Sequence, residues 1–214
     1  MRKIYHAGLY LLTLLCSLSA YSQGQVKMTN LDTSNLSKEI KFTGKIKTAV
    51  RWADRSGAHI VITTETGETK SENAPSDDCR DAALYAYHYI VHKDSTYLIW
   101  KVHDFIKACP VDIEANFIKN TFQVTDLNND GVAEVWLMYK TACHGDVSPC
   151  DMKIIMYQGQ QKYAMRGQNK VQISEKEFYG GDYKYDKAFA DGPEEFLEFA
   201  KKLWNKNIMQ TWGK

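Results

Sequence analysis

Residues 80–92 read RDAALYAYHYIVH and residues 96–108 read TYLIWKVHDFIKA. Both runs are rich in aromatic and branched side chains, and Lys93-Asp94-Ser95 between them is turn-like, so the pair predicts a β-hairpin. Side chains alternate across a strand. One face then carries Leu84, Ala86, Ile90, Leu98, Trp100, Val102 and Ile106, which is core. The other carries Tyr85, Tyr87 and Tyr89 with Tyr97, Lys101 and His103 of the partner strand. That amphipathic aromatic face is a candidate surface for sugar rings or a protein partner; the plainer alternative is the half-covered second face of a sheet.

A three-residue turn centred on Asp94 sets Cys79 opposite Cys109, a separation a disulfide can bridge. Downstream, VAEVWLMYKTA (132–142) and DMKIIMYQ (151–158) flank CHGDVSPC, so Cys143 and Cys150 are expected to face each other likewise. The expected disulfides are therefore Cys79–Cys109 and Cys143–Cys150. A metal site built from the four cysteines is the weaker alternative, because no pair has the zinc-ribbon spacing.

Outward from the hairpins, EIKFTGKIKTAVRWA and AHIVITTET read as two strands joined at Asp54-Arg55-Ser56-Gly57. TFQVTD and KYAMRG read as further strands, and EFYGGDYKYDKAF as loop. After Asp191-Gly192-Pro193, an acidic first turn leads into Phe196, Phe199, Ala200, Leu203 and Trp204 at helical spacing. The expected fold is α+β, mainly an antiparallel sheet of about seven to nine strands, with one C-terminal amphipathic helix.

The amino terminus has the three parts of a secretory signal. Arg2 and Lys3 precede an apolar run from Leu9 to Leu18, and Ala20-Tyr21-Ser22 places small residues before a cut at Gln23. Cys16 could take a lipid anchor, but Leu15 stands where a small residue is expected. Residues 1–22 are thus expected to be removed, leaving 23–214 as a single β-rich domain in the periplasm or cell exterior. No segment of that mature chain is apolar enough to span a bilayer. Charge is nearly balanced, with 27 basic and 26 acidic residues, which argues against nucleic acid as the main partner.

The sharpest local motif is DLNNDGVAE, residues 126–134. Asp126, Asn128 and Asp130 place oxygens at alternate positions, Gly131 supplies the bend, and the Val132 carbonyl and Glu134 complete a set suited to calcium. Leu137 stands where an EF-hand has its bidentate glutamate. The plainer alternative is a polar turn whose Asp and Asn side chains bond their own backbone. A structural calcium is the one cofactor the sequence suggests. His144-Gly145-Asp146-Val147-Ser148 holds the residue types of a nucleophilic triad, but adjacency in sequence is no evidence for one. No catalytic residue is singled out.

From Cys79 to about Val171 the chain resembles a family of small exported bacterial proteins labelled surface polysaccharide biosynthesis proteins. The stretches ALYAYHYIV, LIWKVHDFIKACP, VTDLNNDGVAEVWLMYKTACHGDVSPCDMKIIMY and KYAMRG carry the resemblance. It implies an envelope role and supplies no catalytic residues. The expectation is an exported, non-enzymatic binding module of the envelope associated with surface polysaccharide, its partner an envelope glycan or a protein. Two alternatives stand beside it: a secreted inhibitor or protein-partner-binding module, and a glycan-processing enzyme.

Overall fold

The computed structural model describes residues 26–72, 74–93 and 95–210. The expected signal sequence, the expected cut before Gln23 and Cys16 lie outside the described residues. The first sheet holds β1 (Thr29–Asn30), β2 (Lys45–Asp54), β3 (Gly57–Glu65), β4 (Thr69–Lys70), β5 (Arg80–His92) and β6 (Ser95–Cys109). β3 and then β4 line one edge of β5, and β6 pairs along the other. The second sheet is built on β7 (Ile113–Phe117), β8 (Gln123–Thr125), β9 (Glu134–Cys143), β10 (Asp151–Gln158) and β11 (Gln161–Gln168). β12 (Lys170–Gln172) and β13 (Phe178–Gly180) form a separate ribbon, and β14 (Tyr183–Tyr185) returns to pair with β11. Two helices follow among the described residues, α1 (Lys187–Asp191) and α2 (Glu194–Asn207).

All named strand pairs are antiparallel, in keeping with the expected class. The details differ. Among the described residues fourteen strands replace the expected seven to nine, because several are only two or three residues long. EFYGGDYKYDKAF is not simply loop: it supplies β13, β14 and most of α1. Two helices stand where one was expected. Asp191 ends the first, and the second is preceded by Pro193 with no side-chain cap.

Apolar surface is buried in three layers. Between the sheets, Trp52, Val61, Leu84, Trp100 and Val102 meet Val135, Leu137, Ile155 and Tyr157. On the far side of the second sheet, Met138, Ile154, Met156 and Met165 pack against Phe189 of α1 and Phe196, Leu203 and Trp204 of α2. On the outer face of the first sheet, Ile40 of the N-terminal segment covers Ile62, Tyr87 and Tyr89. β9 and β10 are therefore apolar on both faces, as their near-continuous hydrophobic sequences require.

The hairpin registers overturn the expected disulfides. β5 and β6 begin pairing at His92–Ser95, one residue tighter than a three-residue turn. β6 then bulges twice: at Ile99, between the pairs Tyr89–Leu98 and His88–Trp100, and again between Ala82–Ile106 and Arg80–Cys109. At the second bulge Ala108 adopts φ 51°, and its freed amide donates to Asp81 Oδ1 at 2.8 Å. Cys109 thus stands opposite Arg80, not Cys79. In the other hairpin Thr141 pairs with Asp151, which sets Cys150 level with Ala142 and sends Cys143 to the opposite face. The disulfide joins Cys109 to Cys143, with Cα atoms 5.7 Å apart, and ties the end of β6 in one sheet to the end of β9 in the other. Cys79 and Cys150 are buried free thiols.

Candidate functional site

The first bulge also divides the aromatic face. Leu98 lies opposite Tyr89, whereas Tyr97 lies opposite Ile90 on the other parity, so Tyr97 leaves the expected stripe. Tyr87 and Tyr89 are only 4% and 3% exposed. The Tyr89 hydroxyl donates to the Lys41 carbonyl at 2.6 Å, and the Tyr87 hydroxyl accepts the Thr43 amide at 3.1 Å. These two tyrosines anchor the N-terminal segment and are structural. What remains open is shorter: Tyr85 stacks on His103 at 4.4 Å, and His103 leads to Phe105 at 5.0 Å. Lys101 Nζ stands 4.8 Å from the Tyr85 ring centre, and Lys107 Nζ 5.3 Å from that of Phe105. Burial and the charge of Lys101 lower the His103 pKa, which favours a neutral ring that can stack. Phe105, 46% exposed, was missed in the sequence although it shares the parity of Lys101 and His103.

The loop between β8 and β9 brings its expected residues together. Asp126 Oδ2, Asn128 Oδ1 and Asp130 Oδ1 accept the amides of Gly131, Asp130 and Val132, the bonds a polar turn requires. A second set of oxygens looks elsewhere. Asn128 Oδ1, Asp130 Oδ2, the Val132 carbonyl and Glu134 Oε1 surround the amide nitrogen of Gln158 at 3.4, 3.1, 3.2 and 3.3 Å. An amide group has two hydrogens and cannot serve four acceptors well. Asp126 Oδ1 is buried with no partner. Burial pushes Glu134 up to about 7, and the charges of Asp126 and Asp130 add to it, against hydrogen bonds from Thr125 and Leu127. A cation among the oxygens around Gln158 would relieve their crowding and the repulsion on Glu134. Among the described residues no three His, Cys, Asp or Glu side chains are grouped to hold a metal by themselves. A cation here would therefore need Asn128, the Val132 carbonyl and Gln158, turned to present its oxygen. Gln158 pairs with Glu134 across the β9–β10 ladder; facing Cys143 with Cys150 would have placed Gly159 there instead.

A buried relay reaches this loop from the first sheet. His88 Nε2 lies 3.0 Å from His59 Nδ1, and His59 Nε2 lies 3.0 Å from Asp54 Oδ1. Asp54 Oδ2 accepts the Ala133 amide, next to Glu134. Trp52 stacks on both imidazoles. Burial pushes Asp54 up, but hydrogen bonds from Ser56 and Ala133 and the charge of His59 outweigh it and hold the carboxyl at about 2. Burial and the His59 charge hold His88 down at about 3, so it is neutral at ordinary pH. Sequence distance hid this relay, since its parts come from three strands.

At the cysteine end, His144 Nε2 lies 3.6 Å from Cys150 Sγ. The pair has the elements of a nucleophile and its base, but burial and the nearby Glu114 charge push the Cys150 thiol up to about 11. An activated cysteine requires the reverse shift. Asp146 and Ser148 bond to each other in the loop, with the Ser148 amide donating to Asp146 Oδ1. No family model, curated protein or solved structure matches this chain.

Proposed function

We propose that the protein is an exported, non-enzymatic module of the cell envelope that binds surface polysaccharide, with a structural calcium in loop 126–134. The observation that carries the binding reading is the open Tyr85–His103–Phe105 stack with the amino groups of Lys101 and Lys107 beside it. Sugar rings present an apolar face that lies on aromatic rings, and ammonium groups hydrogen-bond the surrounding hydroxyls or acidic substituents. The Cys109–Cys143 disulfide suits an oxidising compartment, and no helix among the described residues is long and apolar enough to cross a membrane. The oxygens around Gln158 and the orphan Asp126 Oδ1 support the calcium.

The test is affinity electrophoresis of the mature protein in gels containing extracted envelope polysaccharide. Wild type should be retarded, with about fivefold weaker retention for Tyr85→Ala or Phe105→Ala, the worth of one ring contact. Retention equal in both variants and wild type would overturn the reading. A second reading, a secreted protein-partner-binding module, is favoured by one feature. Among the described residues β6 pairs with no strand but β5; apart from the Thr96 amide, which Glu39 accepts, its outer edge carries no neighbour, and β6 exposes Tyr97 and Leu98, 56% and 51% accessible. Loss of a co-purifying protein in Tyr97→Ala, with polysaccharide retention absent throughout, would favour that alternative.

A further inference from the structure

β7 and β8 both pair with the same edge of β9; the Ile118 amide still donates to the Met138 carbonyl at 2.9 Å, and residues 119–122 then swing away from the sheet. Asn120 takes φ 61° in this excursion, and the Thr121 hydroxyl ties it by donating to the Ile118 carbonyl at 2.6 Å. An unbroken edge strand would have filled the space against Leu137. Instead a cleft of about 260 Å³ opens there, between the excursion and the ends of β2 and β3.

The lining is mixed. The rings of Phe117 and Phe122 supply apolar surface and Thr48 a part-exposed hydroxyl, with the buried Thr63 and Thr121 behind them in the wall. Glu65 is anchored at one wall: its Oε1 accepts the Phe117 amide at 2.8 Å, and its Oε2 meets Lys47 Nζ at 3.0 Å. Thr63 is 1% exposed, and its hydroxyl has no hydrogen-bond partner. A buried hydroxyl in that state has given up water without replacing it, a net cost to the fold. Thr63 stands in the wall of the cleft, so a small shift of that wall would let an occupant satisfy it.

These features select the occupant. An anion would meet the Glu65 carboxylate, and a cation would meet Lys47 and Lys119 at the rim. A wholly apolar molecule would leave Thr63 unsatisfied. A neutral ring with hydroxyls on its edge and an apolar face suits the hydroxyls, the carboxylate and the phenylalanines together. Ligand pockets usually measure about 300–1,000 Å³, so this one accommodates a single ring and not a chain. We infer that the cleft between β2–β3 and residues 117–122 binds one neutral pyranose unit. The inference rests on the polysaccharide reading and adds to it: the exposed strip would hold the chain, and the cleft one terminal or branch residue.

The experiment is a two-dimensional NMR titration of the mature protein with methyl glucoside, methyl galactoside and methyl N-acetylglucosaminide. Methyl glucuronide, methyl glucosaminide and cyclohexanol serve as the charged and apolar comparisons. At least one neutral pyranoside should move Thr48, Thr63 and Phe122 resonances saturably in the millimolar range. Thr63→Val, which keeps the shape and removes the hydroxyl, should weaken that response about fivefold. No saturable change at these residues in wild type overturns the inference, as does an equal response to a charged sugar or to cyclohexanol. An undiminished response in Thr63→Val does the same. If the polysaccharide is retained through Tyr85 and Phe105 while the cleft stays silent, only the cleft assignment fails. If the cleft responds and the polysaccharide is not retained, the strip reading fails and the cleft stands.

Discussion

The two long hairpins look alike in sequence and behave differently in the fold. β9–β10 runs from Glu134–Gln158 to Thr141–Asp151 without a break, whereas β5–β6 slips twice in a single ladder. The difference follows from surroundings. β9 and β10 are packed on both faces and carry a neighbour on each outer edge, so any slip would move every side chain into the wrong layer. Among the described residues no strand lies along the outer edge of β6, where a bulge displaces little. Each hairpin also holds a buried ionisable group, His88 on β5 between the sheets and Glu134 at the head of β9 beside the 126–134 loop. Burial shifts the two in opposite directions.

That opposition gives the largest expected effect. His88 sits at about 3 in the fold against an ordinary 6.5, so between those values the unfolded chain binds the extra proton. Stability should therefore fall as pH drops from about 6.5 towards about 3, by up to about 5 kcal/mol. Glu134 sits at about 7 against an ordinary 4.5, and there the folded chain binds the extra proton. With chelator present, stability should fall as pH rises from about 4.5 through about 7, by up to about 3 kcal/mol. Urea unfolding across pH separates the two. His88→Gln should flatten the acid limb and Glu134→Gln the neutral one. If both variants keep the wild-type profile, the two hairpins do not differ in this way.

The next effect concerns the staple between the hairpins. Closing the 34-residue separation of Cys109 and Cys143 is worth about 3.8 kcal/mol by the chain-entropy relation. Cys143→Ala should lose most of this in urea unfolding, whereas Cys79→Ala should lose about 1 kcal/mol from a small cavity. Non-reducing peptide mapping should find Cys109 joined to Cys143, with Cys79 and Cys150 as thiols. A Cys79–Cys109 peptide would mean that β6 lacks its second bulge and that the ladders differ less than described.

Calcium tests the β9–β10 side alone. At ten times its dissociation constant it should add about 1.4 kcal/mol. Three carboxylates at most imply the extracellular affinity class of about 10⁻⁴ to 10⁻³ M. The gain should grow as pH rises through about 7, because a cation requires Glu134 ionised. Asp130→Asn should abolish most of it. The decisive melting curves are those at about pH 8, where Glu134 is mostly ionised in the fold. Curves in calcium and in chelator that coincide there would leave the polar turn as the better description.

What was legible in the chain was local and periodic. Alternation gave the strands of both hairpins, and the spacing of Asp126, Asn128 and Asp130 gave a loop that the fold does draw together. What was hidden depended on register. The bulge at Ile99 is marked by no turn residue; it leaves Trp100 on the expected core face, stacked on Tyr157 at 4.3 Å, but exchanges the faces of Tyr97 and Leu98. Gln158, His59 and Thr63 gain their settings only when distant strands meet.

The smallest effects decide how the tyrosine stripe divides. Tyr85, Tyr87 and Tyr89 occupy successive outward positions of β5, yet residues 36–43 cover two of them and leave the third beside His103. Tyr87→Phe removes the acceptor of the Thr43 amide and should cost about 1 kcal/mol of stability, with polysaccharide retention unchanged. Tyr85→Ala should do the reverse: weaker retention, and a smaller loss of stability. Tyr97, carried off the stripe by the bulge, should change neither; surface substitutions of this kind stay within about 0.5 kcal/mol. Urea unfolding and affinity electrophoresis on the three variants check all of this together. Retention lost in Tyr97→Ala to the same degree as in Tyr85→Ala would place Tyr97 on the binding face. That would require an unbroken β5–β6 ladder, and the two hairpins would then be alike after all.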